Sequence, residues 1–250
     1  VRIELLGPLE IIDEDDIRFR IPGEKLRTIV AALALAGGKV VSRDELIDEL
    51  WAERPPRDAV NSLQGHIARL RRILVTRIGR EHLRGVVQTT PAGYRLQLPA
   101  DHIDALRFTA LVESAAPLLE EDPGAVIRTL NSALALWRGP ALFDTGQGMI
   151  CRMAYTHLEE SRLIAHERKI DAQLDLGLHQ AVIPEAERLH MRYPLREHFC
   201  RQLMAALCRS GRQGEAINVY SRTRQRLVRE LGIEPSPQLR RVFREILSQT

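Results

Sequence analysis

Arg69, Arg71 and Arg72 lie in the run Arg57–Leu74, RDAVNSLQGHIARLRRIL, and guanidinium groups at that density suit one kind of chemistry. Each guanidinium presents fixed pairs of N–H donors that match a phosphate, or the O6/N7 edge of guanine, in bidentate fashion. Between Arg57 and Arg95 stand Arg57, Arg69, Arg71, Arg72, Arg77, Arg80, Arg84 and Arg95, opposed by Asp58 and Glu81. The whole chain carries a formal net charge of +3, so its basicity is concentrated in this stretch. Such a concentration is the electrostatic footprint of a nucleic-acid binder.

Helical spacing divides the run into faces. At about 100° per residue, Val60, Leu63, Ile67, Leu70 and Leu74 fall in one narrow sector that is expected to be buried. Asn61, Gly65, Arg69 and Arg72 lie opposite, and Ser62, Gln64, Ala68 and Arg71 occupy the flanks. Taken alone, the pattern also fits an amphipathic surface helix whose arginines are simply solvated. The context favours a DNA-reading helix: VVQTTPAGYRL follows as a hairpin with Gly93 in its turn, and two short helices precede it. Three helices and a terminal ribbon make a winged helix-turn-helix.

The elements that hold this helix are legible upstream. Residues 1–22 alternate in the runs Arg2–Leu6, Leu9–Ile12 and Ile17–Ile21, which predicts a small antiparallel sheet. Asp13-Glu14-Asp15-Asp16 between the last two reads as a solvated turn. Lys25–Ala36 has helical periodicity and stops at Gly37-Gly38. Ser42-Arg43-Asp44-Glu45 is a capping box that opens a helix with Leu46, Ile47, Leu50 and Trp51 inward, and Pro55-Pro56 ends it.

Beyond about residue 100 the strand signals vanish and the charges nearly balance. Helices are predicted at Ile103–Glu120, Ala125–Trp137, Ile150–Leu176, Gln180–Arg192, Pro194–Ser210, Gln213–Leu231 and Pro237–Ser248. Gly177 and Gly211 lie 34 residues apart, each followed by a helix bearing a small residue (Ala181, Ala216), which suggests stacked tetratricopeptide-like hairpins. The expected architecture is therefore mainly α: a winged-helix domain over residues 1–100 and an all-α domain over residues 101–250.

Other chemistries find little support. Cys151, Cys200 and Cys208 form no CxxC pair, which argues against a disulfide framework or zinc site and for a reducing cytoplasm. Cys200 and Cys208 are expected to pack on one helix face. The eight histidines show no HExxH spacing. Gly37-Gly38-Lys39 lacks the rest of a phosphate-binding loop, and no nucleophile elbow or dinucleotide fingerprint occurs. No cofactor and no enzymatic activity are expected. No apolar run is long enough to span a bilayer, and the alternating N-terminus lacks the pattern of a signal peptide. Trp137 is expected to pack between domains.

The LLGPLEI opening, the ELIDELW helix, the NSLQGHIARLRRIL helix, the TTPAGYRL wing and the closing MAALCRSGRQGEAINVYSRTRQRLVRELGIEPSPQLR together resemble the SARP family, the Streptomyces antibiotic regulatory proteins. The resemblance runs along essentially the whole chain. It implies an OmpR-type winged helix followed by a bacterial transcriptional activation domain. It further implies an activator of a secondary-metabolite gene cluster that binds direct repeats near the promoter −35 region as a homodimer and recruits RNA polymerase through its sigma factor. Carried over by position, Arg69 reads a base, with Gln64 and Gly65 facing the major groove. Asn61, Ser62, His66, Arg71 and Arg72 contact phosphates, and Thr89, Tyr94 and Arg95 set the wing on the backbone. His66 has a second reading, as a filler beside the buried stripe. The wing tip departs from many response regulators, because Thr90-Pro91-Ala92 holds no arginine.

Two rival functions remain at this level: an interaction adaptor whose winged helix docks protein, and a repressor using the same DNA module. The chain is also compatible with being the N-terminal part of a larger regulator that carries an ATPase. A double-stranded promoter, RNA polymerase and a second copy on DNA are the expected partners. No membrane partner is expected, and the expected location is the cytoplasm, in association with the nucleoid.

Overall fold

The N-terminal part is built from short strands and three helices. In the computed structural model, which describes residues 1–78, 86–119, 121–146 and 148–248, β1 (Arg2–Glu4), β2 (Glu10–Ile12) and β3 (Arg18–Phe19) form one antiparallel sheet in that order. Ile3 pairs with Ile11, and Ile11 with Phe19. The acidic turn is self-organised: the Asp13 carboxylate accepts the amides of Asp15 and Ile17 at 3.0 and 2.8 Å.

Three helices follow, α1 (Glu24–Leu35), α2 (Arg43–Trp51) and α3 (Ala59–Ile78). The capping box at Ser42 forms as its spacing predicts. Ser42 Oγ accepts the Glu45 amide at 3.1 Å, and the Ser42 amide donates to Glu45 Oε2 at 2.8 Å. A second antiparallel sheet orders β4 (Val41–Ser42), β6 (Gly93–Leu96) and β5 (Val87–Thr89), with β6 in the middle. Gly93 is required there. A Cβ at this position would lie 2.1 Å from the Val41 carbonyl oxygen, because β4 passes directly against it.

The remainder is helical: α4 (Asp104–Ala115), α5 (Pro123–Leu134), α6 (Met149–Asp175), α7 (His179–Arg192), α8 (Glu197–Arg209), α9 (Gln213–Leu231) and α10 (Pro237–Ser248). Among the described residues no helix is long and apolar enough to cross a membrane. The fold is thus a winged helix-turn-helix followed by an all-α, tetratricopeptide-like region.

Contacts divide the chain into two compact units, Val1–Glu113 with Ser132–Leu163, and Ser114–Asn131 with Ile164–Thr250. This division is not drawn at residue 100, where the sequence changes character. Residues 132–163 join the first unit through long-range hydrogen bonds. The Leu6 and Leu5 carbonyls accept the amides of Arg138 and Leu142, both at 2.8 Å. Asp144 accepts the Leu9 amide at 2.8 Å and pairs with Arg27 at 3.1 Å. Thr28 Oγ1 accepts the Gly146 amide at 2.7 Å.

Two buried carboxylates complete this stitching. Asp104, at the start of α4, accepts the Leu5 and Leu6 amides at 2.6 and 3.0 Å. Burial raises its pKa to about 6, against the pull of those two donors. Glu49 projects from α2 and is 5% exposed; its two oxygens accept the amides of Ile150 and Cys151 at 2.6 and 3.0 Å. A carboxylate from a distant helix therefore satisfies two of the orphan donors in the first turn of α6. Trp137 also belongs to this unit, edge-on to Phe108 at 5.2 Å and under the Arg162 guanidinium at 4.3 Å.

In the second unit α7 packs on α8, α8 on α9, and α10 against both α8 and α9. The repeat relation is corrected in one detail. Ala216, five residues after Gly211, is buried, whereas Ala181 is exposed and Val182, five residues after Gly177, is its buried counterpart. Tyr220 stacks on Phe243 at 3.9 Å. Cys200 is buried, and burial pushes its thiol up to about 12, while Cys208 is half-buried. A polar seam joins the helices. Glu185 on α7 receives His166 at 2.9 Å and Lys169 at 2.8 Å from α6, and Glu167 pairs with Arg196 at 2.5 Å.

Two expectations follow. Glu49→Ala leaves two helix-end amides without their acceptor and costs about 1–3 kcal/mol in denaturant unfolding; an unchanged midpoint would refute the capping role. For Glu185, burial works against the charge, but the His166 and Lys169 hydrogen bonds prevail and hold its pKa at about 2 against 4.5 when unfolded. A depressed acid stabilises above its unfolded pKa, so this contribution is lost as pH falls from 4.5 toward about 2. Glu185→Gln is expected to flatten the stability profile across that window.

Candidate nucleic-acid interface

Helix α3 is fixed at its start by Asp58, whose carboxylate accepts the Asn61 amide at 3.0 Å and whose carbonyl accepts Ser62 Oγ at 2.8 Å. Leu63, Ile67, Leu70 and Leu74 are buried and hold the helix against α1 and α2. Val60 departs from the predicted stripe. It is 44% exposed, and with Asp58 and Asn61 also exposed, the first turn stands clear of the core.

The opposite face is open. Gln64, Gly65, Ala68, Arg69 and Arg72 are all exposed, and a Cβ at Gly65 would meet nothing within 4 Å. Arg69, Arg72 and Arg77 make no ion pair among the described residues. On the first sheet and its neighbours, by contrast, arginines are neutralised. Arg18 meets Glu4 and Glu10 at 2.8 and 3.2 Å, Arg20 meets Glu10 at 3.1 Å, and Arg138 meets Glu4 and Glu10, both at 3.0 Å. The α3 face therefore presents uncompensated guanidiniums around a slim centre. Arg80, Glu81 and Arg84, which contribute to the predicted basic stretch, lie outside the described residues.

The other predicted site residues have internal partners. Arg71 fastens the helix to the wing: its Nε and Nη2 donate to the Val87 carbonyl at 3.1 and 2.8 Å, and Nη2 reaches Thr89 Oγ1 at 2.8 Å. Arg95 donates to the facing Gln88 at 2.7 Å. Asn61 donates through its side chain to Asp58, and Ser62 is half-buried in the same cap. Tyr94 is 3% exposed, in the middle strand opposite Val41 and Thr89, so its ring belongs to the core and offers no surface to a ligand. His66 packs beside the Trp51 ring at 5.9 Å, with Lys25 Nζ 4.6 Å from that ring. Burial, then the charges of Lys25 and Arg69, lower its pKa. Thr89, Pro91 and Ala92 are the exposed wing positions.

Sequence reasoning did not find Arg71 as a fastener or Glu49 as a cap. A signal existed for Glu49: an acid three residues after Leu46, inside the helix's apolar sector, needs a partner when buried. Among the described residues no group of three or more His, Cys, Asp or Glu side chains is placed to hold a metal ion.

A winged helix-turn-helix with an unneutralised arginine face on its third helix defines the class of DNA-binding transcriptional regulators. Comparison with known proteins agrees. Residues 23–96 match the family described as transcriptional regulatory protein, C terminal, and residues 103–247 match the bacterial transcriptional activator domain. The transcriptional regulator RedD of Streptomyces coelicolor is 43% identical over 249 residues, covering 100% of this chain and 71% of that protein. The regulatory protein DnrI of Streptomyces peucetius is 35% identical, covering 99% of this chain and 92% of its own length. A solved structure of Mycobacterium tuberculosis EmbR in complex with a low-affinity phosphopeptide superposes with a TM-score of 0.91 at 33% identity, over 100% of this chain and 65% of that one. The chain belongs to the SARP family of transcriptional regulators.

The Arg71 contacts generate a test that needs no DNA. Arg71→Ala removes the donors to Val87 and Thr89 and is expected to speed amide exchange in β5 while costing about 1–3 kcal/mol of stability. Unchanged exchange in β5 would mean that the wing is held by its strand pairing alone.

Proposed function

We propose that the chain is a sequence-specific DNA-binding transcription activator of a secondary-metabolite gene cluster. Residues 1–100 make the DNA contacts, and residues 101–250 supply activation and dimer surfaces. Arg69 reads a base edge in the major groove, Gln64 and Gly65 lie against the same groove, and Arg72 holds phosphate. Thr89 approaches the backbone from the wing. Arg71, His66, Asn61 and Ser62 act by shaping this surface, because their polar groups or rings are already engaged, and Arg95, whose Nε alone meets Gln88, sets the wing on the backbone with its remaining donors. The protein binds direct repeats near the −35 region as a homodimer on the nucleoid and recruits RNA polymerase through its sigma factor. The regulator families it matches point to a non-enzymatic role.

The observation that carries this reading is the clustering of unpaired arginines on one face. Exposed Arg54 and Arg107 also make no ion pair among the described residues, but they stand singly, whereas Arg69 and Arg72 share the exposed face of α3 around Gly65 and Ala68. Names of relatives as transcriptional regulators support the same conclusion.

Gel-shift titration on the adjacent promoter tests it. Arg69→Ala is expected to lower specific affinity by about 1–3 kcal/mol and to relax preference at one base pair. If Arg57, Arg72 and Arg77 neutralise phosphates in each protomer, log affinity falls by about 3 per log unit of salt. Salt-independent binding, or no retention of DNA, would transfer the face to a protein partner. Run-off transcription with purified polymerase separates activation from repression.

A further inference from the structure

We propose that a pocket in the C-terminal unit binds a small phosphorylated molecule with a flat ring, the chemistry of a nucleotide. The pocket encloses about 310 Å³ and is walled by His190 and Met191 of α7, Pro194 just beyond it, and Arg222, Arg226 and Arg229 of α9. The three arginines follow i, i+4, i+7 spacing and so share one face of the helix. No carboxylate lines the pocket.

Charge pairing on α9 is uneven. Arg212 and Arg224 each hold a carboxylate of their own through two hydrogen bonds, Glu215 at 2.6 and 2.7 Å and Glu234 at 2.7 and 2.8 Å. On the pocket side, by contrast, Glu230 alone serves Arg226 at 3.3 Å and Arg229 at 2.9 Å. Arg222 has no ion pair among the described residues. The pocket wall therefore keeps positive charge that its own helix does not cancel, in the fork geometry that fits phosphate oxygens.

His190 lines the same pocket from α7. Its Nε2 lies 3.4 Å from Thr223 Oγ1, and its Nδ1 is buried with no hydrogen-bond partner. Across from the arginines the wall turns apolar, with Met191 71% exposed beside Pro194. A thioether beside a cationic cluster packs well on a flat ring. The volume sits at the small end of the range for small-molecule sites, which suits a compact ligand better than a long peptide. Phosphate on the arginines and a ring on Met191 use both walls at once.

Calorimetric titration of the whole chain, free of DNA, with adenosine 5′-monophosphate tests the assignment. Saturable binding of one molecule per chain is expected, with adenosine and inorganic phosphate each at least tenfold weaker. The double variant Arg222→Ala/Arg226→Ala should lose at least tenfold in affinity for the monophosphate at an unchanged melting temperature. Met191→Ala should weaken the monophosphate and leave inorganic phosphate unaffected. No saturable binding, or equal binding by a folded double variant, overturns the proposal. So does a phosphoserine peptide that binds where the monophosphate does not, which assigns the arginines to a protein partner. If the double variant lowers DNA affinity in parallel, the arginines are a DNA contact and the pocket proposal fails, while the DNA-binding reading stands.

Discussion

The rest of the interface depends on the burial of four side chains, Leu63, Ile67, Leu70 and Leu74, along one edge of α3. Each fully buried aliphatic side chain contributes about 1.5–3 kcal/mol. That apolar anchorage offsets what the exposed edge gives up. Arg69, Arg72 and Arg77 make no ion pairs among the described residues, and neighbouring guanidiniums repel one another. A helix held by its polar contacts would have to turn those groups inward. Held by its aliphatic edge, it can present them to solvent and to a polyanion.

Three kinds of arginine accordingly occur in the N-terminal unit. Those on the first sheet and its neighbours are paired with Glu4, Glu10 and Asp144 and fix strands and loops. Arg71 is used on carbonyl and hydroxyl oxygens and sets the spacing between helix and wing. Arg69 and Arg72 have neither kind of partner. The same side chain is glue, strut or open donor according to what stands opposite it, and residue type alone does not distinguish these roles.

That is also where sequence reading reaches its limit. Local signals were legible: the Ser42 box, the stop at Gly37-Gly38, the bounds of α9 and α10, and the hairpin at Gly93 all express chemistry between residues a few positions apart. The exposed trio Gln64, Gly65 and Arg69 was legible too, because helical periodicity places residues on faces. The long-range partners were hidden. Nothing near Glu49 announces that residues 150 and 151 will supply its donors, and nothing near Asp104 points to Leu5 and Leu6. The burial of Tyr94 and the exposure of Val60 were hidden for a related reason. A strand's place in its sheet and a helix's overhang beyond its neighbours are tertiary facts, invisible to a local pattern.

The Glu49 contact has a consequence for anyone grafting this module. A chimaera joined at residue 100, where the composition changes, would separate α2 from the helix start it caps and the Leu5–Leu9 backbone from Arg138, Leu142 and Asp144. The transplanted half would expose a carboxylate and several amides fitted to a host that is no longer there. Keeping residues 132–163 together with residues 1–113 holds those donors and acceptors in one inheritance.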